Sequence, residues 1–427
     1  MNSDPAVEPR LEYTGQILPL PYRISVAIVL GVWAWGANLQ CLSLYKIDVL
    51  SLVYPQRALS RTSSSPYYLS TYRLALVLTG PLIFSLFISW VVTQSNGSFT
   101  IYFDFLPMIY LCFLVGICTF PIRNLCPSGR SRFLATLRRI LVGGLAQTKD
   151  GKFGDILLAD VLTSYAKIIA DLFVALCMFF RYPLASSTVT PDRSCGGLYA
   201  VPIITAIPSF LRLLQCLTEY FRVQSAGGPG WGGQHLANVL KYFSAFPVIV
   251  LSALQRNVSV KGQNLVLEEQ NIFYCWLAAI SLNSLYSFYW DVAKDWDLDF
   301  FSVIYRHLSF AHRSSLTQIN VSHLSTKYAC DLRSLLILSD PRFYYMAIIL
   351  DFFLRFSWLL KLSPHLSDFF DSEDGIVLLE FAEVGRRWMW IFLRLETEWV
   401  RQVGERGEPV LNDILVERYD EYESDDY

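Results

Sequence analysis

FYYMAIILDFFLRFSWLLKL (residues 343–362) and GIVLLEFAEVGRRWMWIFLRLETEW (residues 375–399) decide how this chain is read. Each is long enough to cross a bilayer, which takes about 20 mainly apolar residues. Each also carries charge at mid-span: Asp351 and Arg355 in the first, Glu380, Glu383, Arg386, Arg387 and Arg394 in the second. One such residue at the bilayer centre costs roughly 2.5–3.5 kcal/mol on insertion scales, so it must face a partner or a water-filled cavity. Asp351 and Arg355, Glu383 and Arg387, and Arg394 and Glu398 are four apart and share helix faces; Glu383 and Arg386 are three apart. The adjacent Arg386 and Arg387 project about 100° apart, so Glu383 can fully neutralise only one of them. One reading is that these pairs simply neutralise one another and lock helix packing; against it, the surplus positive charge predicts an anion pathway, since rings of Arg or Lys mark anion and phosphate pores.

Working outward, the 427 residues are 53% hydrophobic and 17% charged, against about 25% charged in a soluble domain. The net charge of −2 says nothing about a nucleic-acid partner, and no basic block suggests one, so none is expected. No cleavable leader pattern opens the chain. The nine cysteines show neither a C-x-x-C pair nor metal-ligand spacing. Cys41, Cys112, Cys118, Cys177, Cys216 and Cys275 lie in apolar stretches and read as small hydrophobes. No disulfide, metal or cofactor is expected.

Apolar stretches at about 24–45, 72–93, 101–121, 155–180, 198–221, 236–255 and 271–290 join the opening pair. They predict an all-α, polytopic membrane protein with about nine transmembrane helices. Residues 1–23 form a polar lead and 404–427 an acidic tail expected to be disordered. Between them lie amino-terminal helices with a basic loop (24–154) and a core (155–403). Alternate loops carry 21 and 6 Lys/Arg. The richer set, including 122–154 and the tail, should be cytosolic and the amino terminus lumenal. The sequons at Asn96 and Asn257 fall in the lumenal set, where Cys195 is the only cysteine.

Several motifs resemble the EXS-domain family. EVGRRWMWIFLRLETEW resembles its Glu-x-x-Arg-Arg and Phe-x-Arg-Leu-Glu-x-Glu signature, and YYMAIILDFFLRFSW its Tyr-Tyr…Asp-x-x-Leu-Arg-Phe-x-Trp helix. LLADVLTS (157–164), IPSFLRLLQCL (207–217), HLANVLKYF (235–243) and WDVAKDW (290–296) resemble further family runs. The family includes eukaryotic phosphate exporters and a yeast protein whose loss impairs retention of resident proteins in the early secretory pathway. The resemblance covers about 24–400. It implies a transport core without the soluble domain that senses inositol pyrophosphates, the build of the shorter Golgi-type members. Where the family often has two arginines after Gln-Cys-Leu, this chain has Thr218 and Glu219.

The resemblance implies an inorganic phosphate transporter of the Golgi membrane, with the endoplasmic reticulum as a second location, and not an enzyme. Arg355, Arg386 and Arg387 form the expected substrate site, because the planar guanidinium fork donates paired hydrogen bonds to phosphate. Lys241 is a further cation, although so near a helix end it could instead snorkel to the headgroups. Asp160, Asp291 and Asp295 would orient these cations. Asp160 has no cation within local reach and must find one on another helix. Trp358 is a candidate gate, and Arg212, one turn after the helix-kinking Pro208, is either a lining residue or a buried tie. Glu383 is a candidate lining residue. Lys167 and Asp171 read as a structural pair. The run Asp295, Asp297, Asp299 imitates a transferase metal site, but no second catalytic constellation accompanies it; His307, His312 and His323 read as loop residues. Expected partners are phosphate, membrane lipids and a cytosolic Golgi sorting factor; a homodimer is among the open oligomeric states. The competing reading is a membrane adaptor that retains or recycles Golgi glycosylation enzymes without transport.

Overall fold

A computed structural model describes residues 18–54, 66–95, 105–120, 127–181, 191–227, 232–261, 266–301, 332–362 and 369–406, apart from 194, 198, 334, 339 and 371. Asn96, the three loop histidines, the acidic tail beyond 406 and the side chain of Asn257 lie outside the described residues.

Every regular element among these residues is helical. Helix α1 (Leu20–Leu44) opens with Pro21, whose fixed φ and missing N–H suit a first turn. The short α2 (Val49–Val53) is capped by Asp48, which accepts from the Leu50 amide at 3.0 Å. There follow α3 (Tyr67–Ser95), α4 (Leu106–Thr119) and the basic α5 (Pro127–Leu141). Helices α6 (Lys152–Ser164) and α7 (Ala166–Phe180) meet at Tyr165 with a 61° bend. The Tyr165 hydroxyl donates to the Ala27 carbonyl at 3.0 Å, anchoring the bend against α1. Gly31 permits this approach: a Cβ there would lie 2.3 Å from the phenol oxygen.

Helix α8 (Ala200–Ala226) contains Pro208; α9 (Gly233–Phe243) and α10 (Ala245–Lys261) follow one another across Ser244. Helix α11 (Val266–Trp290) runs into a π-turn, Asp291–Asp295. Helix α12 (Arg342–Arg355) leads to a 3-10 turn, Ser357–Leu362, and α13 (Glu373–Arg406) completes the described chain. Each of the nine predicted stretches falls on a helix or a broken helix pair. Among the described residues, four helical stretches are long and apolar enough to cross a membrane, in α1, in α3, in α8 and over Gly233–Arg256; the bent α6–α7 pair makes a fifth. Helices α4 and α12, at 14 residues each, reach about 21 Å at 1.5 Å per residue, short of a roughly 30 Å hydrocarbon core.

The burial pattern is the reverse of a water-soluble bundle. Asp155, Asp291, Asp351 and Glu396 are wholly buried, while Phe84, Phe87 and Ile83 of α3 point outward. That arrangement suits a lipid surround, where apolar side chains face out and charges face partners within the bundle. Two helices organise the interior. One core joins Trp390, Ile391, Leu393 and Leu395 of α13 to Tyr344 and Ile348 of α12, Val292 of the π-turn, Trp296 just after it, and Leu42 of α1. A second joins α1, α4 and α7 to Val384 of α13, and a third packs α1 against α3 and α4.

One expectation is overturned. Cys177 and Cys195 form a disulfide across 18 positions of sequence. Cys177 lies in the last turn of α7, within reach of the segment that follows, and not in mid-span as a filler. The helix end thus supplies the second cysteine that the loop lacked.

Candidate functional site

The charged residues of α13 and α12 converge with those of α9 and the π-turn. Lys241 closes the last turn of α9, where its charge opposes the carbonyl end of the helix dipole favourably. It is buried, and its ammonium donates to Asp291 at 3.0 Å and Asp295 at 3.4 Å. The alternative of a lysine snorkelling to the headgroups is therefore not what the fold adopts. Asp291 also accepts from Arg386 Nη1 at 3.4 Å and from Arg355 Nη2. The π-turn is what sets Asp291 and Asp295 on either side of one ammonium; such wide turns are frequent at functional sites.

Asp351, wholly buried, accepts from Arg355 Nε at 3.2 Å and Arg386 Nη1 at 3.1 Å. Glu383 takes a two-pronged pair from Arg386 Nε at 2.8 Å and Nη2 at 2.6 Å. Lys241, Asp291, Arg355, Asp351, Arg386 and Glu383 thus form one unbroken chain of ion pairs across four elements. Burying so many charges is tolerable only with this degree of mutual pairing, because the desolvation cost per ion is several kcal/mol.

Arg387 stands apart. It is buried, yet among the described residues no carboxylate lies within ion-pair distance of it. Its Nε donates to Ser164 Oγ at 2.6 Å, its Nη2 to Thr163 Oγ1 at 3.4 Å, and its guanidinium stacks on the Trp390 ring at 4.6 Å. Of the two adjacent arginines, Glu383 neutralises Arg386; its expected four-apart pairing with Arg387 is not formed. Asp160, on the same helix as Ser164, finds its cation on α8: Arg212 Nε donates to it at 2.7 Å and the Tyr242 hydroxyl at 2.5 Å. Arg212 is a buried tie, held further by Gln215 at 2.9 Å. Tyr242 joins this pair to the central chain, since Lys241 lies 5.5 Å from its ring.

Trp358 sits in the 3-10 turn after α12. Its Nε1 donates to Ser284 Oγ at 3.1 Å, and its ring meets Trp276 edge-on at 6.2 Å. Arg394 lies 3.8 Å from Glu398 and 3.9 Å from Asp295.

Toward the amino end of α13, Glu373 accepts from Arg23 at 2.7 Å and from Arg193. Arg193 lies within the disulfide-tied segment, just before Cys195, and is also 3.8 Å from Asp171. Lys167 pairs with Glu380 at 3.3 Å, not with Asp171, because α13 offers the nearer acid. Toward the other end, wholly buried Glu396 accepts from Arg333 at 2.6 Å, the Ile337 amide at 2.9 Å and Tyr344.

Sequence reasoning gave Asp351 only as a local partner of Arg355, and it passed over Tyr242, Thr163, Ser164 and Trp390. Tyr242 and Ser164 stand inside quoted motifs, beside Lys241 and at the end of LLADVLTS. That adjacency was the available signal.

Comparison with known proteins identifies the architecture. The EXS family profile matches residues 18–400. The chain belongs to the EXS family. It is 28% identical over 387 residues to Protein ERD1 homolog 1 of Schizosaccharomyces pombe, covering 89% of this chain and 90% of that one. It is 29% identical over 264 residues to Protein ERD1 of Kluyveromyces lactis, covering 62% and 63%. Solute carrier family 53 member 1 of Homo sapiens is 27% identical over 264 residues, 59% of this chain but 33% of that protein. The ion-pair chain and Arg387 all lie within the EXS region.

Proposed function

We propose that this EXS protein transports inorganic phosphate across the Golgi membrane from lumen to cytosol, supporting glycosylation and the retention of resident proteins. The reading includes about nine membrane crossings, with a lumenal amino terminus. The observation that carries it is Arg387: a buried guanidinium without an acidic partner among the described residues, held by two hydroxyls and a tryptophan beside three further cations.

Phosphate is the substrate class that the family resemblance implies, and the chemistry is apt. A guanidinium fork matches two phosphate oxygens, and Arg387 has no carboxylate to displace first. Lys241, Arg355 and Arg386 stay paired with Asp291, Asp295, Asp351 and Glu383. An entering anion would share these cations with the carboxylates, never meeting four bare charges. Binding is then strong enough for entry and weak enough for release. Trp358, hydrogen-bonded beside Arg355, is the proposed gate.

Phosphate flux into proteoliposomes containing this protein alone tests the reading. Saturable uptake that falls in a folded Arg387→Gln variant supports it. No uptake by folded wild-type protein would overturn transport and leave the adaptor reading, with segment 122–154 or the tail as its docking surface.

A further inference from the structure

Helix α5 contributes nothing to the ion-pair chain or to Arg387, and its surroundings in sequence are one-sided in charge. Between Asp104 and Asp150 the chain has five arginines and a lysine but no acid. Two of these arginines fix α5 in place. Arg130, buried, donates from Nη1 to the Phe120 carbonyl at 2.7 Å and to the Ile117 carbonyl. Arg139 donates to Asp155 of α6 at 2.7 Å. On the same docked side Ile140 packs with Ala159 of α6 and Leu211 of α8, and Thr136 shares a hydrogen bond of 2.9 Å with the Tyr54 hydroxyl. Ile117 and Phe120 stand at the carboxyl end of α4. Helix α5 therefore starts at the level where α4 leaves the apolar layer.

The other side of α5 is apolar and open. Phe133 and Leu141 are exposed, with half-buried Leu137 between them. Their spacing of four makes them one ridge. Val142, just past the helix, is exposed as well. Arg138 lies about 60° around the helix from Leu141; it is exposed, and among the described residues it pairs with no carboxylate. Arg132 is half-buried and rests 5.5 Å from the Tyr54 ring. A helix with an apolar ridge and arginines beside it is the form that lies in a bilayer surface, its ridge at the acyl boundary and its cations among the headgroups. Phe120, itself exposed, brings the lipid-facing surface of α4 up to the foot of α5.

We propose that α5 lies in the bilayer surface and that Arg138 binds the phosphate of an anionic lipid headgroup. The Phe133–Leu137–Leu141 ridge dips into the acyl boundary, and the acid-free stretch around it leaves nothing to compete for the headgroup. Anionic lipids are concentrated in the cytosolic leaflet, the side on which the Lys/Arg count places this segment. The inference needs the membrane setting and not the transport reading.

The test uses the full chain in nanodiscs, with every cysteine except Cys177 and Cys195 changed to alanine and an environment-sensitive fluorophore on Leu141→Cys. Brominated acyl chains should quench this fluorophore. They should leave one on Ala135→Cys, on the side away from the ridge, unquenched. Spin-labelled phosphatidylserine should then quench the Leu141→Cys fluorophore about fivefold more effectively than spin-labelled phosphatidylcholine at the same fraction, the preference expected of one arginine at a charged surface. Arg138→Gln should abolish that preference and Arg138→Lys retain it, and about 1 M salt should suppress it in the parent protein. Phosphate flux in Arg138→Gln should equal that of the wild type. A Leu141→Cys fluorophore that brominated lipid does not quench overturns the interfacial position and leaves the face to a protein partner. Equal quenching by the two spin-labelled lipids, or a preference that survives Arg138→Gln, overturns the headgroup site. Neither result touches the transport reading, which flux alone decides.

Discussion

Arg386 and Arg387 are neighbours in sequence with different physical duties. Arg386 gives its fork to Glu383 and its remaining nitrogen to Asp351 and Asp291. Among the described residues, the Arg387 guanidinium is held by two hydroxyls and a ring. Arg386→Gln should therefore destabilise the protein by about 3–5 kcal/mol, because buried carboxylates lose their counter-charge. Arg387→Gln should leave thermal unfolding nearly unchanged and weaken phosphate by about tenfold to a hundredfold, the equivalent of roughly 1.5–3 kcal/mol. Thermal melts in detergent and flux in proteoliposomes separate the two. Equal destabilisation by both substitutions would contradict the assignment. At this scale the sequence told part of the story. Charge counting showed that Glu383 could satisfy one arginine only, and that Asp160 needed a cation from elsewhere. It could not say that the cation was Arg212, because Asp160 and Arg212 are 52 positions apart and meet only through packing. The uncharged partners Ser164, Thr163 and Tyr242 were harder still, since a hydroxyl in an apolar helix raises no electrostatic alarm until its arginine is placed against it.

At the scale of elements, the amino end of α13 is clasped from two sides. Arg23 of α1 and Arg193 of the segment after α7 both hold Glu373, and the Cys177–Cys195 bond fixes that segment to α7. Removing the bond should free Arg193 from Glu373 and Asp171 together. Cys177→Ser is expected to cost about 2–4 kcal/mol, read as a lowered melting temperature that reductant lowers no further. Reductant should bring the wild type down to the same value; a wild-type melt insensitive to a reductant that demonstrably opens the bond would contradict this. The clasp also predicts a pH dependence. Burial pushes the Glu373 carboxyl up, but the hydrogen bonds and charge of Arg193, then of Arg23, outweigh it and hold the group below its ordinary 4.5. A depressed carboxylate contributes stability above its unfolded value and loses it as pH falls toward its folded one. Wild-type melting should thus stay level from neutral pH to about 5 and drop below about 4.5, with Glu373→Gln showing a smaller drop. The helices themselves were readable from apolar stretches. The 61° bend at Tyr165 was not readable. Nothing in ADVLTSYAKIIAD breaks a helix by composition; the bend is held by the Tyr165 hydroxyl on α1, a tertiary contact.

For the whole molecule, what made the fold legible was contradiction: charges where lipid should forbid them. Those charges had to converge, and they do, on α13. The crossing number is less legible, because α4 and α12 are shorter than a bilayer and α13 is long but charged. Topology can be approached by two independent routes. Lys and Arg crowd one set of loops, 21 against 6, which places the 181–197 segment on the lumenal side. The disulfide was no part of that count, yet it ends at Cys195 in the same segment, and disulfides persist in oxidising compartments such as the secretory lumen. Both routes support the proposed orientation, with the tail cytosolic. The test uses sealed Golgi vesicles, cytosolic face outward, and a variant retaining only Cys177 and Cys195. After a membrane-permeant reductant is applied and removed, a membrane-impermeant maleimide should leave Cys195 unlabelled until detergent opens the vesicle. A protease added outside should meanwhile remove a tag placed at the carboxyl terminus. Labelling of Cys195 in intact vesicles would reverse the orientation. It would also make the disulfide face the reducing cytosol, where such a bond would not be expected to last.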